Sequence, residues 1–185
     1  MLIERLKRAG VRFEVGMTTR ELDAAEEFFG FRFPGEIREY LSRAVPVGRD
    51  FFDYRDHSTE NKRRFVDFQA GMEKSFRFDL EHNRDDLLEL LGEKLGFAQD
   101  GPGFDEAVIG YWRESPRLIP FFAHRRFFDG MDDMPIISFW QPVDTVVYGI
   151  NLEDYLEAEF LGKTECAELP EDLLKGTGIW KDLIW

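Results

Sequence analysis

The chain has 185 residues, 43% of them hydrophobic and 19 of them Phe, which is enough apolar material for one core without disulfide support. Its 24 Lys and Arg stand against 37 Asp and Glu, a formal net charge of −13. This charge argues against nucleic acid or an anionic membrane as the main partner, because both attract basic proteins. It favours a basic partner, or simply good solubility.

Cysteine content and hydropathy indicate in which cellular compartment the protein resides. Cys166 is the single cysteine, so an internal disulfide and a multi-cysteine metal cluster are excluded, and a reducing environment fits. Charges interrupt the apolar stretch at the N-terminus, and apolar residues nowhere continue for the roughly 18 positions of a membrane span. The sequence predicts a cytoplasmic protein.

The first elements are predicted to be helices. Residues 1–9 present apolar side chains on one face. Thr18 and Glu21 form a capping box that indicates the start of a second helix, and Gly30 is placed to end it. Pro34 is a favourable residue with which to open a third helix.

A loop, a helix and a strand are predicted next. Residues 45–57 are rich in aromatics and aspartates and indicate a loop, whereas 59–73 show helical periodicity. Residues 76–80 alternate apolar and polar side chains, which is typical of a half-buried strand. Asn83 is placed to cap a leucine-rich helix over 85–95.

The second half is predicted to be mostly β-structure. Residues 98–107 indicate a polar Gly/Pro loop, and short apolar runs at 118–122, 136–140 and 145–148 predict strands. Asn151 is placed to cap a last clear helix. Helices first and strands later indicate a single α+β domain over residues 1–185, with a C-terminal tail over 162–185 that packs on it.

Catalytic signatures are missing from the sequence. The three histidines, His57, His82 and His124, are far apart, and acids near them are expected by chance in so acidic a chain. Acidic residues flank Cys166 in the sequence, and such neighbours are expected to raise a thiol pKa, which works against a nucleophile. We therefore assign no catalytic, cofactor-binding or metal-binding residue, although an enzyme with a His–Asp site around His57 or His124 remains an alternative.

Three acidic segments rich in aromatics are the candidate interaction sites: residues 50–56, 127–134 and 100–106. Aromatic side chains anchor protein interfaces, and carboxylates steer basic partners. The alternative is that the Phe side chains fill the core and the Asp residues form turns. The candidate partner-binding residues are Asp50, Asp53, Tyr54, Asp56, Asp129, Asp132 and Asp133.

Several segments in order resemble the SUKH superfamily, which includes the yeast cell-wall assembly regulator and many bacterial immunity proteins. An acidic helix, a glycine and an FxFP run entering a helix are its opening signature, found here over residues 19–41. Further similar segments are 45–48, 52–55, 76–83, 118–126, 135–141 and 144–160, so the matches extend over about 17–161. The chain departs from the pattern at 44–46, Tyr54 and Ala123, and in the leucine-rich helix.

The resemblance implies a fold and a role. It implies helices packed on a mainly antiparallel or mixed β-sheet, and a non-enzymatic immunity protein that neutralises a cognate protein toxin, expected to be a basic domain of nuclease type. No cofactor, nucleic acid or membrane is implied. A regulatory or scaffolding domain, or a domain that binds a small ligand, is the alternative.

Overall fold

A computed structural model describes residues 2–164 and 169–184. These residues form a single α+β domain with eight helices and two antiparallel sheets. The helices are α1 Leu2–Arg8, α2 Thr19–Phe29, α3 Gly35–Arg43, α4 Thr59–His82, α5 Arg84–Leu95, α6 Phe104–Glu114, α7 Leu152–Leu161 and α8 Ile179–Leu183. The strands are β1 Arg12–Val15, β2 Ala44–Val47, β3 Leu118–Phe122, β4 Arg125–Phe128, β5 Ile136–Gln141 and β6 Asp144–Gly149.

The larger sheet, in the order β3-β4-β5-β6, separates two hydrophobic cores. Successive strand residues point to opposite faces. One core contains Ile119 and Phe127 with side chains from α1, α2, α3 and α7, and the other contains Leu118 and Phe128 with side chains from α4, α5, α6 and α8. The domain is therefore layered, with helices on both faces of the sheet.

The predicted second and third helices are confirmed. The Thr18 hydroxyl accepts a hydrogen bond from the backbone N–H of Glu21, and the Glu21 carboxylate accepts one from that of Thr18, which completes the capping box. Gly30 ends α2 in the left-handed conformation with φ +77°. Pro34 is the N-cap of α3 and lies one position before its first residue.

The predicted strand at 76–80 is wrong, because α4 continues through it to His82. Phe76 and Leu80 lie four residues apart, and Met72 lies four before Phe76, so the buried side chains follow helical spacing as well as strand alternation. Asn83 does precede α5, but its side chain donates to Asp79 and does not cap the helix.

Three further predictions are corrected. The loop predicted at 45–57 begins with strand β2, which pairs with β1. The loop predicted at 98–107 contains the start of α6, and Phe104 is fully buried. Phe127 and Phe128 belong to strand β4 and are buried, so residues 127–134 do not form one exposed aromatic loop.

The predicted strands at 118–122, 136–140 and 145–148 and the helix capped by Asn151 are confirmed as β3, β5, β6 and α7. In the tail, Trp180 is fully buried and its indole N–H donates to the carbonyl of Pro116 at 2.7 Å. Cys166 and Trp185 lie outside the described residues.

Candidate protein-binding surface

The aspartates of the 50–56 segment organise turns. One carboxylate oxygen of Asp53 accepts the backbone N–H groups of Arg55 at 2.9 Å and Asp56 at 3.3 Å. Asp56 in turn accepts the N–H of Ser58 at 2.9 Å, a bond that holds the pKa of the Asp56 carboxyl below its usual range. The buried Asn61 amide donates to two carbonyls of the same loop, those of Asp53 and Asp56. The carboxylates remain exposed, but they also have a local structural role.

Tyr54 lies in the core. Its side chain is 2% exposed, packs against the rings of Phe33 and Phe127, and donates its hydroxyl to the buried carbonyl of Pro120. Burial raises the pKa of the Tyr54 phenol well above its ordinary value. The expectation that Tyr54 touches a partner directly does not fit this buried position.

Asp129 and Asp132 join the segment after β4 to the turn between α2 and α3. Asp129 accepts the backbone N–H of Arg32 at 2.8 Å and the guanidinium Nε of Arg117 at 2.9 Å. Asp132 accepts the N–H of Gly35 at the start of α3, at 2.5 Å. Since anions are favourable at a helix N-terminus, Asp132 stabilises α3. Both carboxylates are therefore engaged within the chain.

Asp133 is exposed and adopts a left-handed backbone with φ +55°. It lies near Glu36, whose carboxyl is partly buried and accepts the N–H of Leu152 at 3.1 Å. Burial, together with the charges of Asp133 and Asp132, raises the pKa of Glu36. Glu36, Asp132 and Asp133 therefore lie close enough together for their charges to interact.

Asp50 and Asp129, from two of the three predicted acidic segments, lie at opposite ends of the β3–β4 hairpin. At its turn, the N–H of Ala123 donates to the carbonyl of Asp50 at 2.7 Å. At its open end, the N–H of Asp129 donates to the carbonyl of Arg117 at 2.9 Å. At about 3.3 Å per residue, the stretch from Arg125 to Asp129 alone spans about 13 Å. The exposed candidate aspartates therefore fall into two groups along the hairpin, and a partner of standard interface size can reach both.

An exposed tryptophan lies at the turn end of the hairpin. Trp140, in β5, has 69% of its surface exposed, the largest fraction of any described aromatic side chain. Its ring meets that of His124 edge to face, with centroids 5.9 Å apart. Burial and the nearby cations Arg125 and Arg126 lower the pKa of His124, while Asp144 and Glu159 act in the opposite direction.

Trp140 borders a groove of about 460 Å³ between α4 and the sheet. We call this the hairpin-end groove; its lining includes Phe68, Met72, Ser75, His124, Phe139 and Trp140. Phe78, which is 49% exposed and stacks on His82, lies three residues after Ser75 and thus on the same stripe of α4. The carbonyl of Asp50 accepts the N–H of Ala123 in the β3–β4 turn, and Asp144 begins β6 opposite Gln141.

Sequence reasoning missed Trp140, although a signal was present. Ile137 and Phe139 alternate as core residues of β5, and the following residue in such a pattern points away from that core. A tryptophan at an outward position is unusual on a surface and is typical of binding hot spots.

Among residues 2–164 and 169–184, no group of three or more His, Cys, Asp or Glu side chains is arranged to hold a metal ion. None of the helices in those ranges combines the length and hydropathy of a membrane span. Comparisons with protein-family models, with curated proteins and with solved structures gave no match.

Proposed function

We propose that this chain is a non-enzymatic protein-binding domain of the immunity type, which neutralises a basic toxin domain by covering its surface. The proposal combines the motif resemblance with one structural observation: a largely exposed tryptophan on a strongly acidic chain. A nuclease-type toxin is the expected partner, since such domains are basic where they hold the phosphate backbone.

The net charge of −13 supports a long-range attraction to a basic partner. Steering of this kind raises the association rate and weakens as salt shortens the screening length. Asp50, Asp53 and Asp56 are exposed and contribute to this field. Asp129 contributes less, because Arg117 neutralises it.

Trp140 supplies the short-range part of the interaction. Truncating a hot-spot tryptophan costs about 2 kcal/mol or more, which is roughly a thirtyfold loss of affinity. The groove beside Trp140 offers the partly buried side chain of Phe68 against which a partner residue can pack. We therefore place the centre of the interface at Trp140 and the aspartates at its rim.

The test is affinity capture from the source cells with three tagged proteins: wild type, Trp140→Ser and Val15→Ser. Val15 is 82% exposed and lies in the other sheet, so its substitution is a matched loss of exposed apolar surface. We expect wild type and Val15→Ser to capture the same basic polypeptide, and to capture less of it at high salt. Trp140→Ser should capture at least about tenfold less.

Growth rescue separates the immunity role from a regulatory or scaffolding one. Expression of the captured polypeptide should arrest growth, and co-expression of wild type should restore it, whereas Trp140→Ser should not. A captured partner that is harmless when expressed contradicts the immunity role and favours the regulatory alternative.

A further inference from the structure

Arg126 carries a buried positive charge. The residue is 7% exposed, and its guanidinium lies over the ring of Phe68 with 4.1 Å from the central carbon to the ring centroid. One nitrogen, Nη1, donates to the carbonyls of Ala123 at 2.6 Å and Arg125 at 2.8 Å. Burial lowers the pKa of Arg126 to about 9, and the group is still protonated at neutral pH.

This charge lacks an acidic partner within the part of the chain that the structure describes. The buried Nε of Arg126 makes no hydrogen bond there, and the charged groups that act on its pKa are Tyr54 and Arg125, neither of them a carboxylate. A buried charge without a counter-ion is costly, and an unmade hydrogen bond of a buried donor costs about 1–3 kcal/mol. An anion bound beside Arg126 would supply the counter-ion that the described part of the chain lacks.

Arg126 lines a hollow of about 150 Å³ between the 50–52 loop, α4 and the β3–β4 turn. Its walls include the rings of Phe51, Phe52, Phe68 and Phe122. A second guanidinium, that of the exposed Arg64, lies over the Phe52 ring at the same hollow. The exposed Asp50 also borders the hollow, but it makes no ion pair with either arginine among the described residues.

We propose that this hollow binds a carboxylate attached to a small apolar or aromatic group, with Arg126 as the anchoring residue and Arg64 as a second contact. A guanidinium recognises a carboxylate through its N–H donors, and among the described residues only Nη1 of Arg126 donates, which leaves Nη2 open to a ligand. The aromatic walls suit an apolar body, and about 150 Å³ is the volume of an engineered apolar cavity that holds benzene. A phosphate dianion fits less well, since apolar walls do not solvate its second charge.

The carboxylate can come from a free organic acid or from the C-terminus of a polypeptide whose last residue is aromatic. Both present the same chemistry to Arg126. The inference does not depend on the proposed function, because it concerns a hollow on the other side of Arg126 from the Trp140 groove.

The experiment titrates nitrogen-15-labelled wild-type protein with benzoate and follows the side-chain Nε–H signal of Arg126 by NMR. Benzamide, which has the same shape but no charge, is the matched control ligand, and sodium chloride controls for ionic strength. A short peptide ending in Phe, as the free acid and as the amide, tests the polypeptide source. Arg126→Lys assigns the signal, and Asp50→Asn and Arg64→Gln test the two side chains at the rim.

We expect a saturable shift of the Arg126 signal with benzoate and at least about tenfold weaker binding of benzamide. Asp50→Asn should tighten binding severalfold because it removes a like charge, and Arg64→Gln should weaken it by a similar factor. If the free-acid peptide binds tighter than benzoate, the polypeptide is the source; if benzoate is tighter, a free acid is. No saturable shift with either acid, an equal response to the uncharged analogues, or saturation by phosphate alone would overturn the proposal.

Discussion

Glu26 is a buried carboxylate that holds the turn between α2 and α3. It is 7% exposed, and one oxygen accepts both the backbone N–H of Phe33 at 3.0 Å and the guanidinium of Arg38 at 3.0 Å. Because this oxygen is the acceptor for a buried N–H within an aromatic turn, Glu26→Ala should destabilise the domain. The neighbouring Glu27 is exposed, so Glu27→Ala is a matched control.

The magnitude follows from the groups that lose their partners. The Phe33 N–H becomes a buried unsatisfied donor, which costs about 1–3 kcal/mol, and a charge-assisted bond from Arg38 is lost as well. Arg38 still pairs with Asp23, so it is not left without a counter-ion. We expect Glu26→Ala to lower the free energy of unfolding by about 2–4 kcal/mol. Glu26→Gln keeps an acceptor for Phe33 and should cost about half as much.

Urea unfolding followed by circular dichroism measures these differences, provided that the slope of the transition is unchanged. Glu27→Ala should stay within about 0.5 kcal/mol of wild type. The reasoning is refuted if Glu26→Ala is as mild as Glu27→Ala, or if Glu26→Gln is as damaging as Glu26→Ala.

Three further substitutions test other parts of the structure. Tyr54→Phe removes the donor to the Pro120 carbonyl and should cost about 1–2 kcal/mol in urea unfolding, yet leave partner capture unchanged; reduced capture by the folded variant would return Tyr54 to the interface. Gly149→Ala places a Cβ 2.5 Å from the backbone nitrogen of Tyr155 and should cost about 2–3 kcal/mol; a thermal midpoint equal to that of wild type would contradict this contact. Burial and two nearby aspartates raise the pKa of Glu36, so its contribution to stability is present at low pH and is lost as pH rises through the raised folded-state pKa. Glu36→Gln imitates the protonated form. Its free energy of unfolding relative to that of wild type should therefore increase between pH 4 and pH 7, by up to about 0.5 kcal/mol. A difference that is the same at both pH values would exclude the linkage.

Local signals in the sequence predicted the elements that carry their own caps. The Thr18–Glu21 capping box, the left-handed Gly30 and the Asn151 cap each depend on residues within one turn of the helix end. Such interactions depend little on tertiary contacts, so the sequence alone is sufficient to predict them.

The missed elements lack such signals. Helix α6 begins after Gly103, which has φ +90° and no side chain to cap the helix, so the start looks like part of a Gly/Pro loop. Strand β4 contains Arg125 and Arg126, and charged residues predict exposure until their tertiary contacts are known. Arg125 is buried because it pairs with Glu159 of α7 and lies 3.5 Å from the Tyr148 ring centroid.

The candidate site could likewise be predicted only in part. The sequence indicates that the aspartates form turns or contact a partner. In the structure, the carboxylates of Asp53, Asp56, Asp129 and Asp132 accept hydrogen bonds that form turns or join separate segments. These bonds do not test their role toward a partner. What composition did not indicate is which aromatic side chain stays exposed, because that depends on which helices cover the sheet.

The hairpin-end groove and the Arg126 hollow share a wall made of Phe68, Ala123 and Arg126. A ligand in the hollow therefore lies next to the surface on which we place the partner. Substitutions at Trp140 and at Arg64 act on different sides of this wall, so the two proposals can fail separately.

The most direct measurement of the central claim is the affinity of the captured basic partner for wild type, Trp140→Ser and Val15→Ser, at two salt concentrations. The account predicts that Trp140→Ser weakens binding about thirtyfold, that Val15→Ser leaves it unchanged, and that salt slows association for all three. Equal affinities for the two variants, or an association rate that does not depend on salt, would contradict it.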